Sequence, residues 1–149
     1  MNPLLEIQFR VPFDRIEAAQ VETAIDELLA DATKRLDETV ASVQPLHALD
    51  TMTERLEYAM NVVRHLESVA TTPELRAAFN AVQPKVSAFY SSLPLNEGLW
   101  KAIQRYSATA DAKTLSGAMR RYLTKTIDSF KRHGAELPPE GKVRLKEID

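Results

Sequence analysis

Between Thr72 and Tyr106 the chain sets Leu75, Phe79, Val82, Val86, Phe89 and Leu93 at alternating spacings of four and three. A strand exposes alternate residues to one face, so this repeat excludes a strand and predicts a helix with one apolar side. Thr72 suits the N-cap, because its hydroxyl can accept from an unpaired amide of the first turn. Pro73 then falls at the first helical position, where a missing N–H costs nothing. Pro84 removes the bond to the carbonyl of Asn80, and the stripe resumes in phase beyond it, which predicts one bent helix. Pro94 is the stop. Asn96 caps the next helix, with Glu97 in its first turn and Leu99, Trp100, Ile103 and Tyr106 as its apolar face.

The remaining segments follow the same period. From Ala18 to about Val43, the residues Val21, Ile25, Leu28, Leu29, Ala32, Leu36, Val40 and Val43 form a stripe. Asp26, Asp31, Lys34, Arg35 and Glu38 occupy the opposite side, as on a surface helix with one buried face. Gln44-Pro45 ends it, since the residue before proline avoids helical angles. Thr51 and Glu54 have the spacing of a capping box, ahead of Leu56, Met60, Val63 and Leu66. The short link from about Ala70 to Thr72 predicts an antiparallel helical hairpin. A further helix is expected from about Ala112 to His133, with Leu115, Met119, Tyr122, Leu123, Ile127 and Phe130 inward and Gly134 as its left-handed stop. Gly117 inside that helix costs about 1 kcal/mol against Ala, unless it admits a close neighbour. Leu137-Pro138-Pro139-Glu140 opens a last helix with Val143, Leu145 and Ile148 apolar. Near the other end, Leu5, Ile7, Phe9 and Val11 alternate with polar residues and predict an extended arm. Such an arm must lie against the helices or pair with further chain.

The expected fold is all-α: an antiparallel bundle of five to six helices in a single domain, 1–149. Residues 1–16 are its arm and 17–149 its helices, the last of them unfinished. An apolar stripe still open at Asp149 suggests a piece of something longer; a frayed end of a small protein is the other reading.

Several function classes are excluded by composition. A net charge of −2 with interspersed signs gives no footprint for nucleic acid or anionic lipid. Without cysteine, the chain has no disulfide, thiolate nucleophile or Cys-ligated zinc. No run approaches the roughly 20 apolar residues of a membrane span. MNPLLEIQFR lacks the basic start and apolar core of a secretory signal, so the expected location is cytoplasmic.

Candidate chemistry is sparse. The three histidines are His47, His65 and His133. His47 with Asp50, and His133 with Glu136, have the spacing of a helical metal pair. Yet His47 falls in a proline-flanked connection, Gly134 interrupts the second pair, and two ligands do not make a site. His65 beside Leu66 reads as a half-exposed helix residue. No serine sits in a nucleophile elbow or a Ser-x-x-Lys helix, and no glycine-rich phosphate loop occurs. Asp31 with Arg35, and Glu54 beside Arg55, read as solvated faces. The aromatics Phe79, Phe89, Tyr90, Trp100 and Tyr106 could line a peptide groove, but spacing assigns Phe79 and Phe89 to the core, while Tyr90 and Trp100 stand at stripe edges. Arg120, Arg121, Lys125, Lys131 and Arg132 read as a solvated helix face. No residue is assigned as catalytic, cofactor-binding or metal-ligating.

A resemblance covers nearly the whole chain. TPELRAAF, an apolar helix containing proline, and NEGLWKAIQRY resemble the SPELRxAY, Leu-Pro helix and HEGLYKAY of the oligopeptidase A and thimet oligopeptidase family of zinc metallopeptidases. PFDRIEAAQVETAI (Pro12 to Ile25) and LPPEGKVRLKEI (Leu137 to Ile148) are similar to that family's flanking motifs, in the same order. Gln20 stands where the family has His, Ala18 and Ala19 where Pro and Glu are usual, and Asn96 where His precedes Glu. The resemblance implies an N-terminal, non-catalytic helical domain that helps to wall the channel of an enzyme cutting short peptides. It implies zinc held by His-Glu-x-x-His and a downstream Glu in a catalytic domain, the remainder of the same polypeptide. This sequence contains no such motif, so the chain alone should be inactive, with no zinc or other cofactor of its own. A stand-alone helical protein-interaction module without catalytic activity is the alternative; a small helical enzyme has no constellation to support it.

Overall fold

A computed structural model describes residues 2–147, apart from the side chain of Lys146. The chain is all-α, and no strand occurs among the described residues. Its helices are α1 (Ala18–Ala41), α2 (Pro45–Thr51), α3 (Glu54–Val69), α4 (Pro73–Ser92), α5 (Glu97–Ser107), α6 (Ala110–Thr114), α7 (Gly117–Arg132) and α8 (Pro139–Lys146). They fall into two compact units, one of Met1–Arg35 with Asp50–Ala88, the other of Leu36–Leu49 with Phe89–Asp149.

In the first unit, Val21, Ile25 and Leu28 of α1, Leu56 and Val63 of α3, and Val82 of α4 are buried. Full burial of each such side chain contributes about 1.5–3 kcal/mol. Thr72 Oγ1 accepts from the Leu75 amide at 3.2 Å, and α4 continues unbroken through Pro84. The stripe of α4 rotates slightly from expectation: Leu75, Ala78, Val82 and Val86 are buried, whereas Phe79 is only half covered. Lys85 of α4 reaches Asp26 of α1 at 2.7 Å. The three-residue link before α4 is spanned by Arg76 and Glu67, 3.2 Å apart.

The N-terminal arm departs from the alternation. With no partner strand, its backbone bonds locally, in 3-10 turns at Pro3–Leu5 and Phe13–Arg15. Leu4 and Pro12 are buried, not the alternating set Leu5, Ile7, Phe9 and Val11. Arg55 of α3 holds the arm, donating to the Leu5 carbonyl at 2.7 Å and to Asp31 of α1 at 3.1 Å. Asp31 also accepts from Arg35 at 2.9 Å, so the expected solvated face of Arg55 is instead a three-way tie.

Further differences have local causes. The connection expected after Gln44 is the helix α2, because Pro45 that stops α1 also starts a new helix as its first residue. That helix takes up Thr51, so no capping box spans 51–54: Thr53 is the N-cap of α3, and its hydroxyl bonds Glu57 at 2.8 Å. Val43 lies beyond the end of α1 and is exposed.

The second unit buries Leu46, Leu99, Trp100, Ile103, Tyr106, Leu123 and Phe130. Asn96 Oδ1 accepts from the Leu99 amide at 2.8 Å and starts α5. A Cβ at Gly98 would stand 3.0 Å from Val40 Cγ1, so this glycine lets α5 approach the end of α1 closely. The single helix expected over 112–133 is two, α6 and α7. Gly117 opens α7 with φ +53, which no right-handed helix interior accommodates, and no neighbour packs there. The break turns Met119 outward. Phe89 is half-buried instead of core, its ring edge-on to Tyr90. Trp100 stacks on Phe130 at 6.0 Å. At the end of α7, the amides of Gly134 and Ala135 bond the carbonyls of Lys131 and Phe130, and Gly134 has φ +92. This is a left-handed glycine cap with both carbonyls satisfied. Pro138 and Pro139 then start α8, where Leu145 is half-buried. Ile148, assigned to the same stripe, lies outside the described residues.

Candidate functional site

The second unit carries an open groove of about 490 Å³. It is lined by the end of α4 (Tyr90, Ser91), the following 3-10 turn (Leu93, Pro94), the last turns of α7 (Ser129, Phe130, Arg132, His133) and Leu145 of α8. The placement is local in origin. Pro94 ends α4 and Gly134 ends α7, so both helix ends leave side chains at the groove. Leu93, Phe130 and Leu145 supply apolar surface, and Tyr90, Arg132 and His133 supply polar groups. Tyr90, Arg132 and His133 came from three separate sequence groupings, and the fold brings them to one groove.

In this groove Ser129 and His133 have the residue types of a nucleophile and base, with Oγ 3.5 Å from Nδ1. The same Nδ1 lies 2.7 Å from the Ser129 carbonyl oxygen. A carbonyl only accepts, so Nδ1 must donate to it and has no lone pair for the hydroxyl proton. The pair therefore cannot act as serine and general base in this arrangement. Glu136 pairs with Lys131 at 3.4 Å.

The other histidines lie on separate helices. His47 is exposed on α2, in the same helix as Asp50 after all. His65 is exposed on α3, its ring 5.5 Å from that of Phe13. Among the described residues no three His, Asp or Glu side chains gather as a metal site would need, so the residues present do not fit zinc. Of the basic cluster, Arg120 donates to the Ala112 carbonyl at 3.1 Å, and Arg121 and Lys125 are exposed.

In the first unit, a depression at the start of α4 is lined by Thr71, Thr72, Pro73, Arg76, Ala77 and Asn80. The Glu74 carboxyl beside it is held below the ordinary carboxylate range, first by its own backbone N–H and then by the Thr72 hydroxyl. This is the electrostatics of a helix N-terminus, which favours negative charge. The polar tie at Arg55 was missed in the sequence, since it joins residues distant in the chain and leaves no local pattern. No described helix is long and apolar enough to cross a membrane.

Neither concavity carries a catalytic constellation, which leaves kinship as the guide to role. Residues 18–142 match the family described as Neurolysin/Thimet oligopeptidase, N-terminal domain. The organellar oligopeptidase A (chloroplastic/mitochondrial) of Arabidopsis thaliana is 30% identical over 153 residues, covering 99% of this chain and 19% of that protein. A probable cytosolic oligopeptidase A of the same plant is 28% identical over 153 residues, covering 99% and 22%. Oligopeptidase A of Escherichia coli (strain K12) is 30% identical over 156 residues, again covering 99% and 22%. The chain thus spans about a fifth of the length of these relatives. With the family match running from the first residue of α1 into α8, the chain belongs to the neurolysin/thimet oligopeptidase N-terminal domain family.

Proposed function

We propose that this chain is a non-catalytic helical domain of an oligopeptidase that cuts short peptides, and that it helps to wall the substrate channel. The observation that carries the reading is the alignment. Ninety-nine per cent of this chain corresponds to 22% of proteins named oligopeptidase A. In this reading the remainder of the same polypeptide is the catalytic domain, and it holds the zinc ion and the general base. The domain's own contribution is steric: capped helices that limit which peptides reach the reacting centre. The proposed compartment is the cytoplasm, as for the relative named cytosolic.

The test is a peptidase assay on the 149-residue chain, after circular dichroism has verified its helicity. Short fluorogenic peptides should not be turned over, with or without added zinc. Turnover abolished by a chelator would overturn the reading.

A further inference from the structure

The N-terminal arm combines two features that conflict in an isolated chain. Its backbone is held firmly. Leu4 is buried, the Asn2 side chain donates to the Gln20 carbonyl at 2.8 Å, and Arg55 grips the Leu5 carbonyl. Pro12 is buried at the far end. Between and beside these anchors, large apolar side chains face solvent: Ile7 is 48% exposed, Phe13 43%, and Phe9 is exposed without any cover at 108%. Exposed Glu6 and Arg10 flank them. Apolar groups rimmed by charge on a fixed backbone are the anatomy of a docking surface, because the ordering entropy has already been lost before contact.

We propose that the segment Ile7–Phe13 is a docking strap for the remainder of the same polypeptide, with Phe9 as its anchor. The inference rests on the reading that the chain is part of an oligopeptidase. The occupant is argued from length: relatives matched along 99% of this chain carry about four-fifths of their sequence outside the match. An intramolecular partner meets the strap at high effective concentration, so a small apolar contact suffices where a separate protein would need a full interface.

The experiment uses the full-length gene product with Phe9 replaced by photoreactive benzoylphenylalanine, irradiated and mapped by mass spectrometry. The expected result is an intramolecular cross-link from position 9 to a peptide outside residues 1–149. A cross-link to a second copy, to another protein or within residues 1–149, or none at all, overturns the proposal. Phe9→Asp supplies an independent readout. It should lower the Tm of the full-length product by several degrees, whereas Glu6→Ala should not; an unchanged Tm for Phe9→Asp counts against the strap. The intact mass separates the two failures. A product of 16.7 kDa defeats the oligopeptidase reading itself, while a larger product without the cross-link defeats only the strap.

Discussion

Gly134 shows how one residue can be required twice. Its φ of +92 is open to glycine, and a Cβ there would stand 2.8 Å from Leu137 Cδ1 and 2.9 Å from Leu145 Cδ2. At Gly117 the φ of +53 is also left-handed, but nothing lies within 4 Å. Gly117→Ala should therefore cost about 1 kcal/mol, the left-handed penalty alone, and Gly134→Ala more, about 2–3 kcal/mol. Urea unfolding of the two variants measures the difference; equal losses would contradict the packing argument. Glu74 gives a pH signature. Its folded pKa is lowered from the usual 4.5, so its stabilising effect is present above that value and is lost as pH falls through the depressed one. Glu74→Gln should abolish this part of the acid dependence, read as the wild-type-minus-variant stability across the carboxylate range. A difference that does not change with pH would exclude it. The glycine stop was legible because glycine after a basic helix end is a local signal. The left-handed Gly117 was not, since the same apolar spacing runs across the break.

At the level of elements, the sequence was most informative where caps and prolines act within one turn. Thr72-Pro73 and Asn96 start α4 and α5 where expected. Asn96→Ala should destabilise the chain by about 1 kcal/mol, because the Leu99 amide loses its partner. Thermal unfolding provides the check, with no change in Tm arguing against the cap. Short helices were less legible: α2 and α6 lie in stretches whose polar residues and prolines also suit connections. The arm could not be read at all from its alternation, because local 3-10 turns shape it and some of its anchors, Arg55 among them, are far away in sequence. Arg55 joins the arm to α1 and α3 through Leu5 and Asp31. Its side chain is 37% exposed, so solvent screens the ion pair and the carbonyl bond matters more. Arg55→Ala is expected to cost about 1 kcal/mol and to speed amide exchange in the arm. Unchanged exchange between Asn2 and Val11 would show that Leu4, Pro12 and the Asn2 side chain hold the arm without Arg55.

For the whole molecule, the all-α class and the family were legible, because helical period, caps and four ordered motifs extend over most of the chain. The groove was not, since Tyr90, Arg132 and His133 meet only through the ends of α4 and α7. The groove joins polar groups to apolar surface, and among the described residues no metal donor set gathers. The proposed role makes this chain one domain of a longer oligopeptidase. The most direct measurement is the size of the native product, blotted from cells of the source organism with an antibody against this chain. The expected result is a band several times larger than 16.7 kDa, whose sequence outside these residues contains His-Glu-x-x-His. A band at 16.7 kDa would contradict it and would point to a small helical protein that acts through a partner.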